Sequence, residues 1–234
     1  MKYMGSKNRV AKLILPIMLE YRTNNMVWVE PFVGGGNMID KVGGKRIGGD
    51  INNNAIQALT SIRDHLDLLP KSNNEFTEED YNSLKTNYEY EHRGYAGFVF
   101  SYGGKWLGGW SRDRVGKRDF VAESYRNACK QSPKLQGVVL LNVAFNNLVI
   151  LDKCIIYCDP PYKGATGYVN KFNHELFWGW CRQMARLGNT VFVSEYNAPD
   201  DFICVWSKSV YSSLTVRDGN KAGVDKLFML KYQY

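Results

Sequence analysis

The feature that most constrains the fold is a glycine-rich turn between two short apolar strands near the start of the chain. A β-type run from Met26 to Glu30 leads into Pro31-Phe32-Val33-Gly34-Gly35-Gly36, and a second run spans Arg46 to Asp50. The segment 37–42 predicts a short helix, and the apolar spacing after Asp50 predicts a longer one. Strands joined through helices in this way run parallel in one sheet, so the sequence predicts the opening of a doubly wound α/β fold.

Apolar periodicity predicts the remaining elements. We expect helices from Ser6, with Ser6 as N-cap, from about Ala55 to Pro70, after Thr77, and over 173–187. We expect strands at 137–143, 154–158 and 190–194. A β-hairpin is expected at the end of the chain, with strands at 209–216 and 226–232. The polar, aromatic-rich stretch 71–134 interrupts this alternation. We therefore predict one mostly parallel α/β domain, 1–70 and 135–234, with 71–134 inserted as a mainly helical lobe.

Composition excludes several classes of protein. The 234 residues are 44% hydrophobic and 23% charged, which is typical of a folded domain rather than a disordered or fibrous chain. No apolar run reaches the roughly 18 residues of a membrane span, and the polar N-terminus is unlike a signal peptide, so we expect a cytoplasmic protein without a membrane partner. A net charge of +7 favours a polyanion as partner. The five cysteines and three histidines have no metal-ligand spacing, so we expect reduced thiols and no metal.

The glycine turn and Asp50 form the first candidate binding site. Glycine lets the backbone approach a ligand closely where the following helix presents free amides. Neither the dinucleotide fingerprint nor the phosphate loop fits, because Ile39 and Arg46 occupy positions that those motifs reserve for other residues. Asp50 ends the second strand, where a carboxylate accepts hydrogen bonds from ribose hydroxyls. The alternatives are a plain turn at 34–36 and a helix N-cap at Asp50.

Asp159-Pro160-Pro161-Tyr162 is the sharpest chemical signal in the sequence. It follows an apolar strand, at the end where ligands bind in doubly wound folds. Proline has no N–H, so the segment offers a carboxylate and carbonyl acceptors without competing donors. That arrangement suits an exocyclic amine with two protons to donate, and Tyr162 supplies a face for stacking a planar base. The alternative is a strand-end turn with an exposed Asp and a core Tyr.

Taken in order, these motifs resemble the Dam-type DNA N6-adenine methyltransferases, including their phage-encoded members. The resemblance covers nearly the whole chain and rests on Tyr3-Met4-Gly5-Ser6-Lys7, the 30–36 turn, Gly49-Asp50-Ile51-Asn52, the 158–162 segment and Phe192-Val193-Ser194-Glu195-Tyr196-Asn197. It implies an S-adenosylmethionine-dependent methyltransferase core that releases S-adenosylhomocysteine. The implied catalytic residues are Asp159, Pro160, Pro161 and Tyr162. The implied cofactor contacts are Tyr3, Lys7, Glu30, Phe32, Gly34, Gly36, Asp50, Asn142, Phe145 and Asp159.

One stretch departs from the family pattern. Family members often carry a polar or acidic residue directly before an aromatic one ahead of the catalytic strand, to hold the cofactor adenine, whereas this chain has Asn142-Val143-Ala144-Phe145. Phe145 can still stack on the adenine. The polar contact would then come from Asn142 or from the backbone.

The predicted chemistry follows from the electronics of the adenine amino group. Its lone pair is delocalised into the ring, so N6 is a poor nucleophile until its protons are hydrogen-bonded to Asp159 and to the Pro160 carbonyl. Positive charge then grows on N6 as it attacks the sulfonium methyl, and the Asp159 carboxylate stabilises that charge more in the transition state than in the ground state. The proton leaves after the methyl arrives, so neither a strong general base nor a metal is needed.

Basic and aromatic residues crowd the second half of the inserted segment. Between Lys105 and Lys134 there are eight Lys and Arg residues and three acidic ones, interleaved with Trp and Gly. Extruding an adenine costs roughly a few kcal/mol, which contacts elsewhere must offset, and such a patch predicts salt-sensitive DNA binding. The candidate DNA contacts are Tyr102, Lys105, Trp106, Trp110, Arg112, Arg114, Lys117 and Arg118. The alternative is an aromatic core of a small lobe with a solvated basic rim.

The sequence therefore predicts site-specific N6 methylation of adenine in double-stranded DNA, by a monomer or a weak dimer. Three alternatives stay open. An N4-cytosine methyltransferase uses the same chemistry but more often has Ser in place of Asp159. An RNA adenine methyltransferase is less consistent with so large a lobe. A methylase-like DNA-binding protein without turnover would fit the departure at Ala144.

Overall fold

The computed structural model describes residues 1–23, 25–113, 115–150, 153–164, 172–210 and 223–234. Its helices are α1 (Asn8–Glu20), α2 (Asn53–Asp64), α3 (Glu78–Ser83), α4 (Arg93–Val99), α5 (Phe120–Leu135) and α6 (His174–Arg186). Its strands are β1 (Trp28–Glu30), β2 (Arg46–Asp50), β3 (Val138–Asn142), β4 (Ile155–Cys158), β5 (Thr190–Glu195), β6 (Phe202–Val210) and β7 (Gly223–Leu230). Among these helices, none is both long and apolar enough to cross a bilayer.

The seven strands form one mixed sheet in the order β3-β2-β1-β4-β5-β7-β6. The pairings from β3 across to β5 are parallel, and β7 is antiparallel to both of its neighbours. This confirms the predicted α/β class, the mostly parallel sheet and the terminal hairpin. The chain builds outward from β1 to β3 and then returns to β4 beside β1. The order therefore reverses between β1 and β4, which is where doubly wound sheets bind ligands.

The central strands are buried on both faces, which explains their uninterrupted apolar sequence. Trp28 and Tyr157 point to the face covered by α1, α2 and α5, and Val29 and Ile156 point to the face covered by α6. All four side chains expose 2% or less of their surface. The centre of the sheet is therefore a rigid base for the loops at its carboxyl edge.

The lobe between α2 and β3 is mainly helical, as predicted. Thr77 caps α3 in a capping box with Asp80. The helix α4 packs tightly on α2, and Gly94 allows this close approach. A Cβ at Gly94 would lie 2.5 Å from the Asn54 carbonyl oxygen. The division of the chain into two domains at 71 and 134 stays a prediction.

The short helix predicted over 37–42 is only a 3₁₀ turn at Ile39–Lys41. Three predicted boundaries are also wrong. The N-cap of α1 is Lys7 rather than Ser6, whose hydroxyl accepts only a 3.3 Å hydrogen bond from the Asn8 amide. The helix α2 ends at Asp64 instead of Pro70, because His65 leaves helical geometry and 66–68 continues as a 3₁₀ turn that keeps the apolar spacing. The first hairpin strand begins at Phe202 instead of 209, and the predicted hairpin turn lies in 211–222, outside the described residues.

Candidate active site

Asp50 ties the end of β2 to the glycine turn after β1. Its Oδ2 accepts a 2.9 Å hydrogen bond from the Gly34 amide, and its Oδ1 accepts one of 2.9 Å from the Asn52 amide. Burial raises the pKa of Asp50, although these two bonds act in the opposite direction. The N-cap of α2 is Asn52, so the alternative of Asp50 as the helix cap is wrong. Gly34 and Gly36 have φ of +47° and +66°, which require glycine for an unstrained turn.

The N-terminal segment lies between this turn and the lobe. A Cβ at Gly34 would lie 2.9 Å from the Tyr3 ring, so the ring packs directly over the turn. On its other side, the Tyr3 ring lies 5.0 Å from the Phe98 ring of α4, and the Met4 amide donates a 3.1 Å hydrogen bond to the Gly104 carbonyl. The position of Tyr3 therefore suits a residue that covers a ligand bound at the turn.

Gln131 of α5 holds the glycine turn from beneath, a contact that the sequence did not suggest. Its buried side-chain amide donates to the carbonyl oxygens of Gly35 at 3.1 Å and Gly36 at 3.3 Å, and to Asp40 Oδ2 at 3.1 Å. A polar residue in the last turns of an amphipathic helix carries no signal of such a long-range contact. The last helix of the lobe thus supports the turn directly.

We expect Gln131→Leu to lower the free energy of unfolding by roughly 1–3 kcal/mol, because the buried Met1 amino group loses Gln131 Oε1 as an acceptor and the Gly35 and Gly36 carbonyls each lose one of their donors. Denaturant unfolding monitored by circular dichroism measures this change. Gln136→Leu is the matched control, since its 2.8 Å bond to the Arg63 carbonyl is exposed and water can replace it. Equal losses in the two variants would contradict the role assigned to Gln131.

Asp159 lies directly after β4, next to the point where the strand order reverses. Its Oδ1 is 3.5 Å from Lys7 Nζ, and its side chain keeps 21% of its surface exposed. Burial raises the pKa of Asp159 to about 6, although the Lys7 ammonium lowers it. The Lys7 ammonium also lies 3.7 Å from Asp225 Oδ1 on β7, a carboxylate that the sequence motifs did not include.

The ring of Tyr162 is fixed on two sides. The Lys7 Nζ lies 4.4 Å from its centre, over the ring face, and Tyr196 meets it edge-on with 4.7 Å between centroids. Its hydroxyl is buried beside Asp159 and lowers the pKa of that carboxyl, yet it makes no well-formed hydrogen bond within the described ranges. The hydroxyl therefore lies against Asp159, and the ring rather than the hydroxyl is the part of Tyr162 that a ligand can meet.

The loop after Tyr162 is held by Glu195 at the end of β5. The carboxylate of Glu195 accepts hydrogen bonds from the Lys163 amide at 3.3 and 3.2 Å and from the Tyr196 amide at 2.8 Å. Pro160 is buried and Pro161 is half-buried between these contacts. The segment 159–162 is therefore a supported edge rather than a free turn.

The other predicted cofactor contacts lie along the carboxyl ends of β1, β2 and β3. Phe32 and Phe145 stack on each other with 5.4 Å between centroids. The Asn142 amide donates to the carbonyls of Asp50 at 2.9 Å and Ile51 at 3.1 Å, which joins the ends of β2 and β3. The carboxyl group of Glu30 is buried and accepts a 2.7 Å bond from the Trp28 indole. This indicates that Glu30 braces β1, and its contact with a cofactor stays a prediction.

Two predicted DNA contacts, both tryptophans, are partly buried against the aromatic core of the lobe. The ring of Trp106 lies 5.0 Å from Phe98, and the Arg93 guanidinium lies 5.0 Å from its centre. Trp110 lies 5.5 Å from Tyr81 and 5.9 Å from Phe100. This packing favours the alternative of an aromatic lobe core for Trp106 and Trp110.

The predicted basic contacts lie at the surface of the lobe. Arg112 forms an ion pair with Glu78, and Arg118 forms one with Glu123 at 2.7 Å. Lys105 and Lys117 are exposed, and Tyr102 exposes 65% of its surface. Arg114 lies outside the described residues. In the ranges that the structure describes, no group of three or more His, Cys, Asp or Glu could hold a metal ion.

The sequence matches a family model over most of its length. Residues 3–153 match the family described as D12 class N6 adenine-specific DNA methyltransferase. The matched range includes the N-terminal motif, the glycine turn, Asp50 and the lobe, and it ends before Asp159. No curated protein matches the chain.

Two solved structures are similar to the chain at low identity. One is the candidate methyltransferase yhhF from Escherichia coli, with a TM-score of 0.40 and 9% identity over 96% of this chain and 84% of that chain. The other is SMU.472, described as a candidate methyltransferase complexed with SAH, with a TM-score of 0.35 and 9% identity over 96% of this chain and 52% of that chain. The chain thus spans about half the length of SMU.472.

Proposed function

Since the chain belongs to the D12 class N6 adenine-specific DNA methyltransferase family, we propose that it transfers a methyl group from S-adenosylmethionine to N6 of an adenine extruded from double-stranded DNA. The observation that carries this proposal is the buried acceptor edge at the reversal of the strand order. There the Asp159 carboxylate lies beside Tyr162, whose buried hydroxyl lowers the pKa of that carboxyl. A carboxylate acceptor beside an aromatic ring is what an incoming amino group and its planar base require.

The proposed cofactor site is the glycine turn with Asp50. Asp50 is partly buried, and each of its oxygens accepts one backbone hydrogen bond, which leaves each oxygen able to accept another from a ribose hydroxyl. Gly34 and Gly36 adopt a positive φ and carry no Cβ, so the backbone of the turn can approach a ligand closely. Tyr3 covers the turn, and Phe145 offers a ring for the adenine of the cofactor. These groups fit S-adenosylmethionine, which when bound supplies a methyl group on sulfur that is open to displacement.

The chain's own part in the reaction is to orient and polarise the amino group. The Asp159 carboxylate accepts a hydrogen bond from one N6 proton, and the Pro160 carbonyl accepts a hydrogen bond from the other. These two bonds draw the nitrogen lone pair out of conjugation with the ring. Tyr162 supports the base by stacking. As positive charge grows on N6, the Asp159 carboxylate lies in a poorly solvated place where it stabilises that charge strongly. The proton of the methylated amine is released last.

We expect methylation to decline below about pH 6. Asp159 must be ionised to accept a hydrogen bond from the amino group, and burial raises its pKa to about 6. Because the protonated form is inactive, kcat/KM should fall about tenfold for each pH unit below that pKa. A pH–rate profile with a short duplex measures it. An acid limb at the ordinary Asp pKa of about 4 would contradict the proposed environment of Asp159.

The lobe is proposed to hold the DNA. Exposed Tyr102, Lys105 and Lys117 are candidate contacts, and Arg114 stays a candidate from the sequence. Arg112 and Arg118 can exchange their acidic partners for phosphates, because exposed ion pairs contribute only about 0–1 kcal/mol. The proposed partner is duplex DNA in the cytoplasm of a prokaryotic or phage-infected cell, and the proposed active form is a monomer or a weak dimer.

Transfer of a labelled methyl group from S-adenosylmethionine to duplex DNA, followed by mass analysis of the nucleosides, tests the proposal. We expect N6-methyl-2′-deoxyadenosine as the product. N4-methylcytosine as the product, or a preference for RNA in a competition assay, would replace the proposal by one of the two related reactions. Tight DNA binding without transfer under conditions that saturate the cofactor would indicate a protein without turnover.

A further inference from the structure

Asp225 on β7 faces the same ammonium group as Asp159. Lys7 Nζ lies 3.5 Å from Asp159 Oδ1 and 3.7 Å from Asp225 Oδ1, and the three side chains expose only 11%, 21% and 22% of their surfaces. Asp225 reaches the site because β7 runs antiparallel beside β5, with Lys226 opposite Glu195 at its end. It lies outside the matched residues 3–153, and the proposed reaction gives it no role.

The position of Lys7 conflicts with entry of the target base. Its ammonium covers one side of the Asp159 carboxylate and one face of the Tyr162 ring, at 4.4 Å from the ring centre. An amino group that donates to Asp159 on that side needs the space that the ammonium occupies. Lys7 must therefore release Asp159, and leaving a largely buried lysine without a carboxylate partner is strongly unfavourable.

We propose that Asp225 is a positioning residue that retains the Lys7 ammonium when the adenine amino group takes its place at Asp159. This inference rests on the proposed function. A movement of about 1 Å would shorten the contact between Lys7 and Asp225 to the length of a charge-assisted hydrogen bond. Lys7 thus changes partner without losing its ion pair, and Asp159 becomes free to accept the amine.

Several charged or titratable groups face Asp159 from the surrounding elements. They are Lys7 at the start of α1, Asp225 on β7, Tyr157 on β4, Tyr162 in the following loop, Glu30 at the end of β1 and Glu195 at the end of β5. After burial, the strongest influences on the pKa of Asp159 are Lys7, which lowers it, and Asp225, which raises it. Removing the charge of Asp225 should therefore lower the pKa of Asp159.

The test is the isosteric variant Asp225→Asn. We expect kcat on duplex DNA at pH 8 to fall roughly tenfold with KM for DNA nearly unchanged, and the acid limb to move down by about one pH unit. At low pH the lower kcat reduces the rate, whereas the lower pKa of Asp159 keeps more of the enzyme in its active form and so raises the rate. Loss of structure alone would not produce these two opposite effects. Asp225→Glu should restore kcat. In a Lys7→Met background, Asp225→Asn should cause no further loss, because there is no ammonium left to retain.

A second readout does not depend on activity. The ¹³Cγ resonance of Asp159, titrated in the protein without DNA or cofactor, should show a lower pKa in Asp225→Asn than in the wild type. Asp201→Asn is the matched control, because that exposed carboxylate pairs with Arg182 at 2.6 Å. A pH profile and an Asp159 titration unchanged by Asp225→Asn would overturn the inference, as would an equal loss of kcat at every pH. If the wild type fails to methylate DNA, the proposed function fails, and the resonance still decides whether Asp225 acts on Asp159.

Discussion

Asp159→Asn should reduce the rate of methyl transfer by about a thousandfold or more while the protein stays folded. Asn has the size of Asp, but its amide carries no charge to stabilise the developing positive charge on N6. The NH₂ group of Asn can also face the amine protons, and two donors that face each other would repel the amino group of the extruded adenine. Single-turnover transfer of a labelled methyl group to a saturating duplex measures the rate of the chemical step.

Binding controls separate chemistry from structure in this variant. Asp159→Asn should keep its affinity for DNA and its unfolding midpoint, because the Asp159 side chain is still 21% exposed and is not part of the core. Asp200→Asn, on an exposed turn after β5, is the matched control and should methylate DNA at the wild-type rate. Methyl transfer by Asp159→Asn at a near-normal rate would contradict the catalytic role of Asp159.

Asp50→Ala should weaken the binding of S-adenosylmethionine by roughly ten- to a hundredfold. The change removes a carboxylate that holds the Gly34 and Asn52 amides at 2.9 Å each, and that is proposed to accept from the ribose. Hydrogen bonds to charged groups contribute about 1.5–3 kcal/mol, which corresponds to that range of affinity. Titration calorimetry with S-adenosylhomocysteine measures the effect without turnover.

The matched control for Asp50 is Asp64→Ala at the other end of α2. Asp64 is exposed, and its only described ion pair is with Arg63, so its loss should leave cofactor affinity unchanged. Asp50→Asn should fall between the wild type and Asp50→Ala, since it keeps one acceptor. Unchanged affinity in Asp50→Ala would place the cofactor away from the glycine turn.

The sequence predicts the fold well where local patterns and topology agree. The apolar runs around Val29 and Ile156 can only be central strands of a parallel sheet, and the glycine turn fixes the first crossover. The errors lie where tertiary packing overrides local spacing. The helix α2 stops at Asp64 although its apolar period continues, and β6 begins at Phe202 because pairing with β7 stabilises a segment with weak strand patterning.

The candidate site is predictable only in its motif residues. Asp50 is the last residue of β2 and Asp159 comes directly after β4, so the positions of strand ends predict their neighbourhood. Gln131 and Asp225 come from the last helix of the lobe and from the terminal hairpin, and no spacing in the chain links them to the motifs that they contact. The same limit explains the lobe, where charge and aromatic content suggested DNA contacts but Trp106 packs against Phe98.

A crystal structure of the protein with S-adenosylhomocysteine and a duplex that contains its methylation site tests the central claim most directly. We expect an extruded adenine whose N6 lies within hydrogen-bonding distance of the Asp159 carboxylate and the Pro160 carbonyl, with the sulfur of the product on the opposite side of N6. An adenine that stays stacked in the duplex, or a product molecule bound far from the 159–162 edge, would contradict the account.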